Sequence, residues 1–260
     1  MRKNLFTNLV IVIFIFAISF SYGFIALKEQ IFPYSLIKNL FESSDESSNY
    51  VSVEKAAKDR FWAEEIIKGG YILHFRHAQR EKWTDVTAFD AWELSKEIKA
   101  ENSSFDRAVC LTDQGDEEAK LIGNIFKLTK VKIHKVVSSP SCRARETAIL
   151  AFGRIDAISN SLLHRTAMTV EQHLPMTLKL RNIIENLETK AGSNSILSGH
   201  GGTLSNYIDV LIDVNHVGKL DDRDETGFII LEKKDGEIIA HHKYKSIWHF
   251  ANSIIEFPIN

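Results

Sequence analysis

Gly69-Gly70-Tyr71-Ile72-Leu73-His74-Phe75-Arg76-His77 decides how this chain is read. Two glycines close whatever precedes them, a short apolar run follows, and the run stops at a cation and an imidazole. Tyr71 to Phe75 reads as a buried strand, because it is short, apolar and bounded by breakers. Upstream, Val53, Ala56, Ala57 and Phe61 recur at helical spacing within Val53 to Lys68, a helix that Gly69-Gly70 ends.

Downstream the same alternation repeats. Asp116 to Thr129 places Ala119, Ile122, Ile125 and Phe126 on one helical face; His134 to Val137 is a short strand ending in Ser138-Ser139-Pro140; Ser141 to Phe152 is helical. Leu174 to Glu188 and Thr203 to Ile212 read as helices, with the strand Ser195 to Ser198 between them. Phe228 to Leu231 and Glu237 to Ala240 flank Lys234-Asp235-Gly236, whose Asp-Gly pair suits a hairpin turn. Strands alternating with helices need crossover connections, which predicts an α/β fold with a mostly parallel sheet covered on both faces.

Ligands of such sheets bind at the carboxyl ends of the strands, and three polar clusters stand there. Arg76-His77-Ala78-Gln79-Arg80 follows the first strand, Ser138 to Ala148 turns a strand into a helix, and Ser198-Gly199-His200-Gly201-Gly202-Thr203 does so again. Singly, each has a plain reading: a polar pair closing a strand, a solvated helix face at Arg143 and Arg145, a tight turn at Gly199 to Gly202. That turn lacks the spaced glycine triplet and later acid of a dinucleotide loop. Together the clusters suit a phosphoryl group. A phosphate dianion needs several converging donors, which arginine supplies in a planar fork while staying charged. Arg76, Arg80 and Arg143 can form that cage, with backbone donors added by the helix after Pro140. His77 and His200 then have separable tasks: one neutral imidazole attacks phosphorus, and the other stabilises charge on the transferred oxygens.

Four motifs in order carry a family resemblance: Arg76-His77 after a strand; Leu111-Thr112-Asp113-Gln114-Gly115 opening a helix; Ser139-Pro140-Ser141-Cys142-Arg143-Ala144-Arg145-Glu146-Thr147-Ala148; and Ser198-Gly199-His200-Gly201-Gly202. The set resembles the signature of the histidine phosphatase superfamily, in its phosphoglycerate-mutase-like branch, over about Tyr71 to Leu231. The resemblance implies a three-layer α/β/α sandwich, a phosphohistidine intermediate on His77, and a phosphate pocket that includes Arg76, Arg143 and His200. Ala78 stands where the family usually has glycine. Arg80 is more typical of the acid-phosphatase branch, but the acidic residue that follows the second histidine there is missing after His200, so Arg80 is read as an additional phosphate-binding cation. The general acid is a gap. In the mutase-like branch a glutamate lies between the second and third motifs, whereas Leu162 to Met168 contains no carboxylate. Glu171, Glu81 and Asp85 are the nearest candidates. Members resembling the phosphohistidine phosphatases manage without the acid because imidazole leaves readily, which favours a phosphoramidate substrate or a substrate-supplied proton.

Composition limits the alternatives. The chain has 260 residues, 44% hydrophobic and 25% charged, with four prolines, which suits a globular domain. A net charge of −2 and a pI near 6.6 leave no basic field for a polyanion, so no nucleic-acid partner is expected. Leu5 to Leu27 carries no charged side chain, which is enough for a membrane span of roughly 20 residues. Arg2 and Lys3 before it would leave the amino terminus in the cytoplasm and the rest outside. A cleaved signal peptide is the alternative, with Leu9 to Ile18 as its apolar run and Ser21-Tyr22-Gly23 near the cut. Retention is favoured because the apolar character continues through Phe24, Ile25, Ala26 and Leu27. Residues 1–28 are thus read as an anchor or signal segment, 29–52 as a linker around polar Glu42 to Asn49, and 53–260 as the folded domain.

Cys110 and Cys142 cannot build a disulfide framework, though they could make one bridge; their spacing matches no zinc pattern, and two separate thiols are the default. Asn102-Ser103-Ser104 matches a glycosylation acceptor by pattern only. His134, His164, His173, His216, His241, His242 and His249 lack metal-ligand spacing and read as surface or packing residues, so no cofactor or metal is expected. Trp83 and Trp92 read as core or pocket wall, Lys243 and Lys245 as a solvated strand face. The expectation is a phosphomonoester or phosphoramidate hydrolase at the outer face of a membrane, acting on a phosphorylated small molecule, an envelope sugar or a phosphoprotein. The alternatives are a catalytically silent phosphate-binding or scaffold protein and, third, a mutase.

Overall fold

The computed structural model describes residues 45–80, 109–163, 170–204 and 212–254. The apolar segment Leu5 to Leu27, Glu81, Trp83, Asp85, Trp92, the Asn102 acceptor, His164 and most of the expected helix Thr203 to Ile212 lie outside the described residues. Among the described residues, no helix is long and apolar enough to cross a membrane.

Helix α1 runs Asp45–Lys68. It therefore begins inside the polar run read as a linker. Contacts divide the chain between Ala57 and Lys58, and the sheet with its packed helices belongs to the unit from Lys58 onward. Gly69 and Gly70, with φ of 76° and 101°, end α1 in the conformation glycine tolerates best.

Strand β1 is Ile72–Arg76, and every residue in it is buried. Then come α2 (Asp113–Leu128), β2 (Ile133–Ser138), α3 (Cys142–Phe152), β3 (Ala157–Ile158), α4 (Val170–Asn186), β4 (Asn194–Gly199), β5 (Phe228–Lys234), β6 (Glu237–Tyr244) and α5 (Ile247–Ile254). The six strands form one sheet in the order β3-β2-β4-β1-β5-β6. The first four are mutually parallel, and β5 runs antiparallel to both β1 and β6. Asp235 and Gly236, both with positive φ, close the β5–β6 hairpin at the expected Asp-Gly pair.

Alternate strand residues feed two cores. Leu73 and Phe75 pack with residues of α1, α2, α3 and α5, among them Ile66, Ile122, Ala148 and Phe250. Ile72 and Leu197 pack on the opposite face with Leu180 and Ile184 of α4 and with Val214 and Leu220. The sheet is thus sandwiched between two layers, as a parallel sheet requires.

Three features depart from the local reading. The first is α5, eight residues long, which buries Ile247, Phe250 and Ala251 and packs Ile254 on the same core; so short a helix is stabilised by docking rather than by propensity. Lys243, read as solvated, is instead largely buried, its ammonium 3.0 Å from Asp224; a strand residue facing a loop is covered when that loop folds over it. Last, Cys110 and Cys142 are joined as a disulfide across 32 positions, because the turns before α2 and α3 meet.

Candidate active site

The sheet register assembles the site. Arg76 pairs with Gly199 across β1 and β4, and Ser138 pairs with Ser198 across β2 and β4. The carboxyl ends of three parallel strands are therefore in line, and the residues just beyond them are neighbours: the His77 amide donates to Gly199 O at 3.2 Å, and the Ser139 amide to Ser198 O at 2.8 Å.

His77 and His200 are both buried, with ring centroids 5.3 Å apart. His77 Nδ1 lies 2.7 Å from Ala78 O. A carbonyl can only accept, so Nδ1 carries the hydrogen and Nε2 keeps its lone pair. Burial, then the charges of Arg143 and Arg76, hold the His77 pKa well below the usual imidazole value; the bond to Ala78 opposes this, and Arg80 adds a smaller push downward. The ring is therefore a neutral nucleophile at physiological pH. His200 has the opposite tautomer. Arg143 Nη2 donates to its Nδ1 at 3.3 Å, which leaves the hydrogen on Nε2, 3.2 Å from both Ser139 Oγ and Ser141 Oγ.

Arg143 is 1% exposed and Arg76 6%, a placement expensive for cations unless acceptors or an anion accompany them. Arg76 Nη1 donates to Asp221 O and to Asp222 Oδ1, the latter at 3.2 Å. Its Nε is buried with no acceptor among the described residues. Arg80 is half-buried, pairs with Leu111 through the backbone, and is near enough for its charge to act on His77.

Supporting bonds explain the motif letters. The Ala78 amide donates to Thr147 Oγ1 at 3.0 Å, and that hydroxyl donates to Arg143 O at 2.8 Å, so one threonine ties the first motif to the third. Thr112 caps α2 by accepting from Gly115 N, and it donates to Gln79 Oε1 at 2.8 Å. Gly115 has to be glycine, since a Cβ there would stand 2.0 Å from Gln79 O.

Of the expected site residues, the structure brings together His77, His200, Arg76, Arg80 and Arg143. Glu171 is exposed on the first turn of α4, while Glu81 and Asp85 lie outside the described residues, as do positions 164–168. Ser139 and Ser141 on His200, and Asp221 and Asp222 on Arg76, were not singled out from sequence. Both serines stood within a quoted motif, but a hydroxyl's partner 60 positions away leaves no local trace. Away from the site, Asp59 contacts His242 at 2.9 Å and His249 at 2.7 Å, a grouping with no spacing signature.

No protein-family signature and no curated protein matches the chain. Several solved structures resemble it. One is a phosphoserine phosphatase mutant from Entamoeba histolytica in complex with phosphoserine, with TM-score 0.43 and 15% identity over 69% of this chain and 98% of that one. Another is the protein histidine phosphatase SixA complexed with tungstate, with TM-score 0.41 and 15% identity over 68% and 97%. Likeness at this level transfers neither a residue role nor a substrate.

Proposed function

We propose that this chain is a phosphohydrolase that works through a phosphohistidine on His77. The observation that carries the reading is the paired imidazoles, 5.3 Å apart with opposite tautomers, within reach of the charges of the buried Arg76 and Arg143. The lone pair of His77 Nε2 attacks phosphorus as the bond to the leaving group breaks. Arg76, Arg80, Arg143 and the Nε2 hydrogen of His200, turned from the Ser139 and Ser141 hydroxyls to the substrate, take the charge on the equatorial oxygens. Water then attacks the phosphoryl group, His77 departs, and phosphate leaves. In the second step the leaving group needs no proton, because Nδ1 keeps its hydrogen and His77 departs as a neutral imidazole.

The substrate class is a phosphomonoester or a phosphoramidate, on a small molecule, an envelope sugar or a protein. A leaving group that needs little protonation is favoured, since no carboxylate of the first-choice stretch Leu162 to Met168 exists to supply a proton. The uncharged run Leu5 to Leu27 supports tethering with the domain outside the cytoplasm, and the Cys110–Cys142 bridge suits an oxidising compartment.

The test uses the full chain in detergent with an aryl phosphate and a chelator present. Phosphate release should occur, rapid quenching should trap phosphate on His77, and His77→Ala should abolish both. A silent phosphate-binding protein would bind phosphate and never become labelled. Full activity in His77→Ala would exclude the mechanism.

A further inference from the structure

Cys110 and Cys142 are both buried, at 0% and 1% exposure, and bonded to each other. The position of the bridge matters more than its presence. Cys142 is the first residue of α3 and lies between Ser141, whose hydroxyl is 3.2 Å from His200 Nε2, and Arg143, whose guanidinium is 3.3 Å from His200 Nδ1. Cys110 directly precedes Leu111, which pairs with Arg80 through the backbone and donates its amide to Glu146 Oε2 at 2.8 Å. The bridge therefore joins two walls of the pocket, one carrying Arg80 and the other Ser141 and Arg143. Besides the bridge, these walls are joined by the Leu111 amide on Glu146 and by apolar packing of Ala78, Leu111 and Ala119 with Leu150. The sulfurs and Glu146 also place ligand atoms within 4.8 Å of one another, but sulfurs bonded to each other are poor metal ligands.

We propose that Cys110 and Cys142 are positioning residues for the phosphate pocket, so that the site is assembled only when the bridge is oxidised. The proposal rests on the phosphatase reading for its effect on turnover, and on the pocket alone for its effect on binding. Opening the bridge takes two electrons and two protons from a dithiol: the Cys110–Cys142 bond breaks, two thiols form, and the dithiol closes to its own disulfide. Freed of the bridge, the start of α3 shifts relative to Leu111, and Arg143 and Arg80 no longer converge. The chain would then be idle in a reducing compartment and competent in an oxidising one.

The chain has two cysteines, so free thiol reports this bridge alone. Full-length protein in detergent is reduced in steps with dithiothreitol, alkylated and weighed, while inorganic phosphate affinity, aryl phosphatase activity and tryptophan fluorescence are followed. Phosphate affinity and kcat/KM should each fall roughly 10- to 100-fold in step with thiol appearance. The fluorescence should stay that of the folded protein, and reoxidation should restore activity. Cys110→Ser with Cys142→Ser should show the same weak phosphate binding and no response to dithiothreitol. The proposal is overturned if fully reduced, folded protein binds phosphate unchanged, or if binding disappears only together with the fold. Oxidised protein that binds phosphate without turnover would refute the phosphatase reading, while the binding arm would still judge the bridge.

Discussion

Arg143 Nη2 approaches His200 Nδ1 at 3.3 Å, so the guanidinium determines which nitrogen of His200 carries the hydrogen. A donor at Nδ1 forces the proton onto Nε2, the nitrogen that faces the hydroxyls of Ser139 and Ser141. The cation thus acts twice, through its own charge and by setting its neighbour's tautomer.

Arg143→Lys keeps the charge but loses the fork, and the shorter reach leaves Nδ1 without its donor. Steady-state kinetics on an aryl phosphate should show kcat/KM lowered about 10²- to 10³-fold. A loss of less than threefold would remove Arg143 from the role given to it.

The buried environment of His77 predicts its titration. Burial and two guanidiniums lower the pKa well below the ordinary imidazole value of 6.5, so its ring should remain neutral as pH falls through the range where an exposed histidine charges. Nitrogen-detected NMR of labelled imidazoles reads this directly. An unshifted midpoint for His77 would contradict the packing described.

His74 lies fully buried in β1, neither ring nitrogen has a partner among the described residues, and burial lowers its pKa to about 3. Its folded value lies below the unfolded one, so between pH 6.5 and about 3 the unfolded chain binds a proton that the native protein does not. Stability contributed by the neutral ring is present above pH 6.5 and is lost as pH falls through that window. Replacing His74 by leucine should flatten the acid side of a plot of Tm against pH while changing stability at about pH 7.5 by less than about 2 kcal/mol. An unaltered acid slope would show that other groups control it.

The glycines of the third cluster differ in what they tolerate. A Cβ on Gly201 would stand 2.2 Å from Leu220 O, a backbone atom, whereas one on Gly202 meets nothing within 4 Å. Gly201→Ala should therefore destabilise the fold by about 1–3 kcal/mol and impair the site, with Gly202→Ala nearly silent. Chemical denaturation of the two variants checks the contrast, and equal losses would refute it.

Strand positions, the Asp-Gly hairpin and the layered α/β architecture could be read along the chain because each depends on contacts within a few residues. Periodicity, breakers and turn chemistry are local signals, and β1 and the β5–β6 hairpin lie within a residue or a few of where those signals put them. His77, His200, Arg76 and Arg143 were legible for a related reason, since the first three stand at strand ends, Arg143 opens the helix that follows one, and a parallel sheet collects its strand ends on one edge. The partners were not legible. Ser139 and Ser141 on His200, Asp221 and Asp222 on Arg76, the bridge from Cys110 to Cys142, and Asp59 between His242 and His249 all join positions 32 to 190 residues apart. Such pairings follow from strand order and register, which are set by the burial of two whole sheet faces at once. No window of sequence contains that sum, so it is the packed sheet that makes neighbours of an arginine and a histidine.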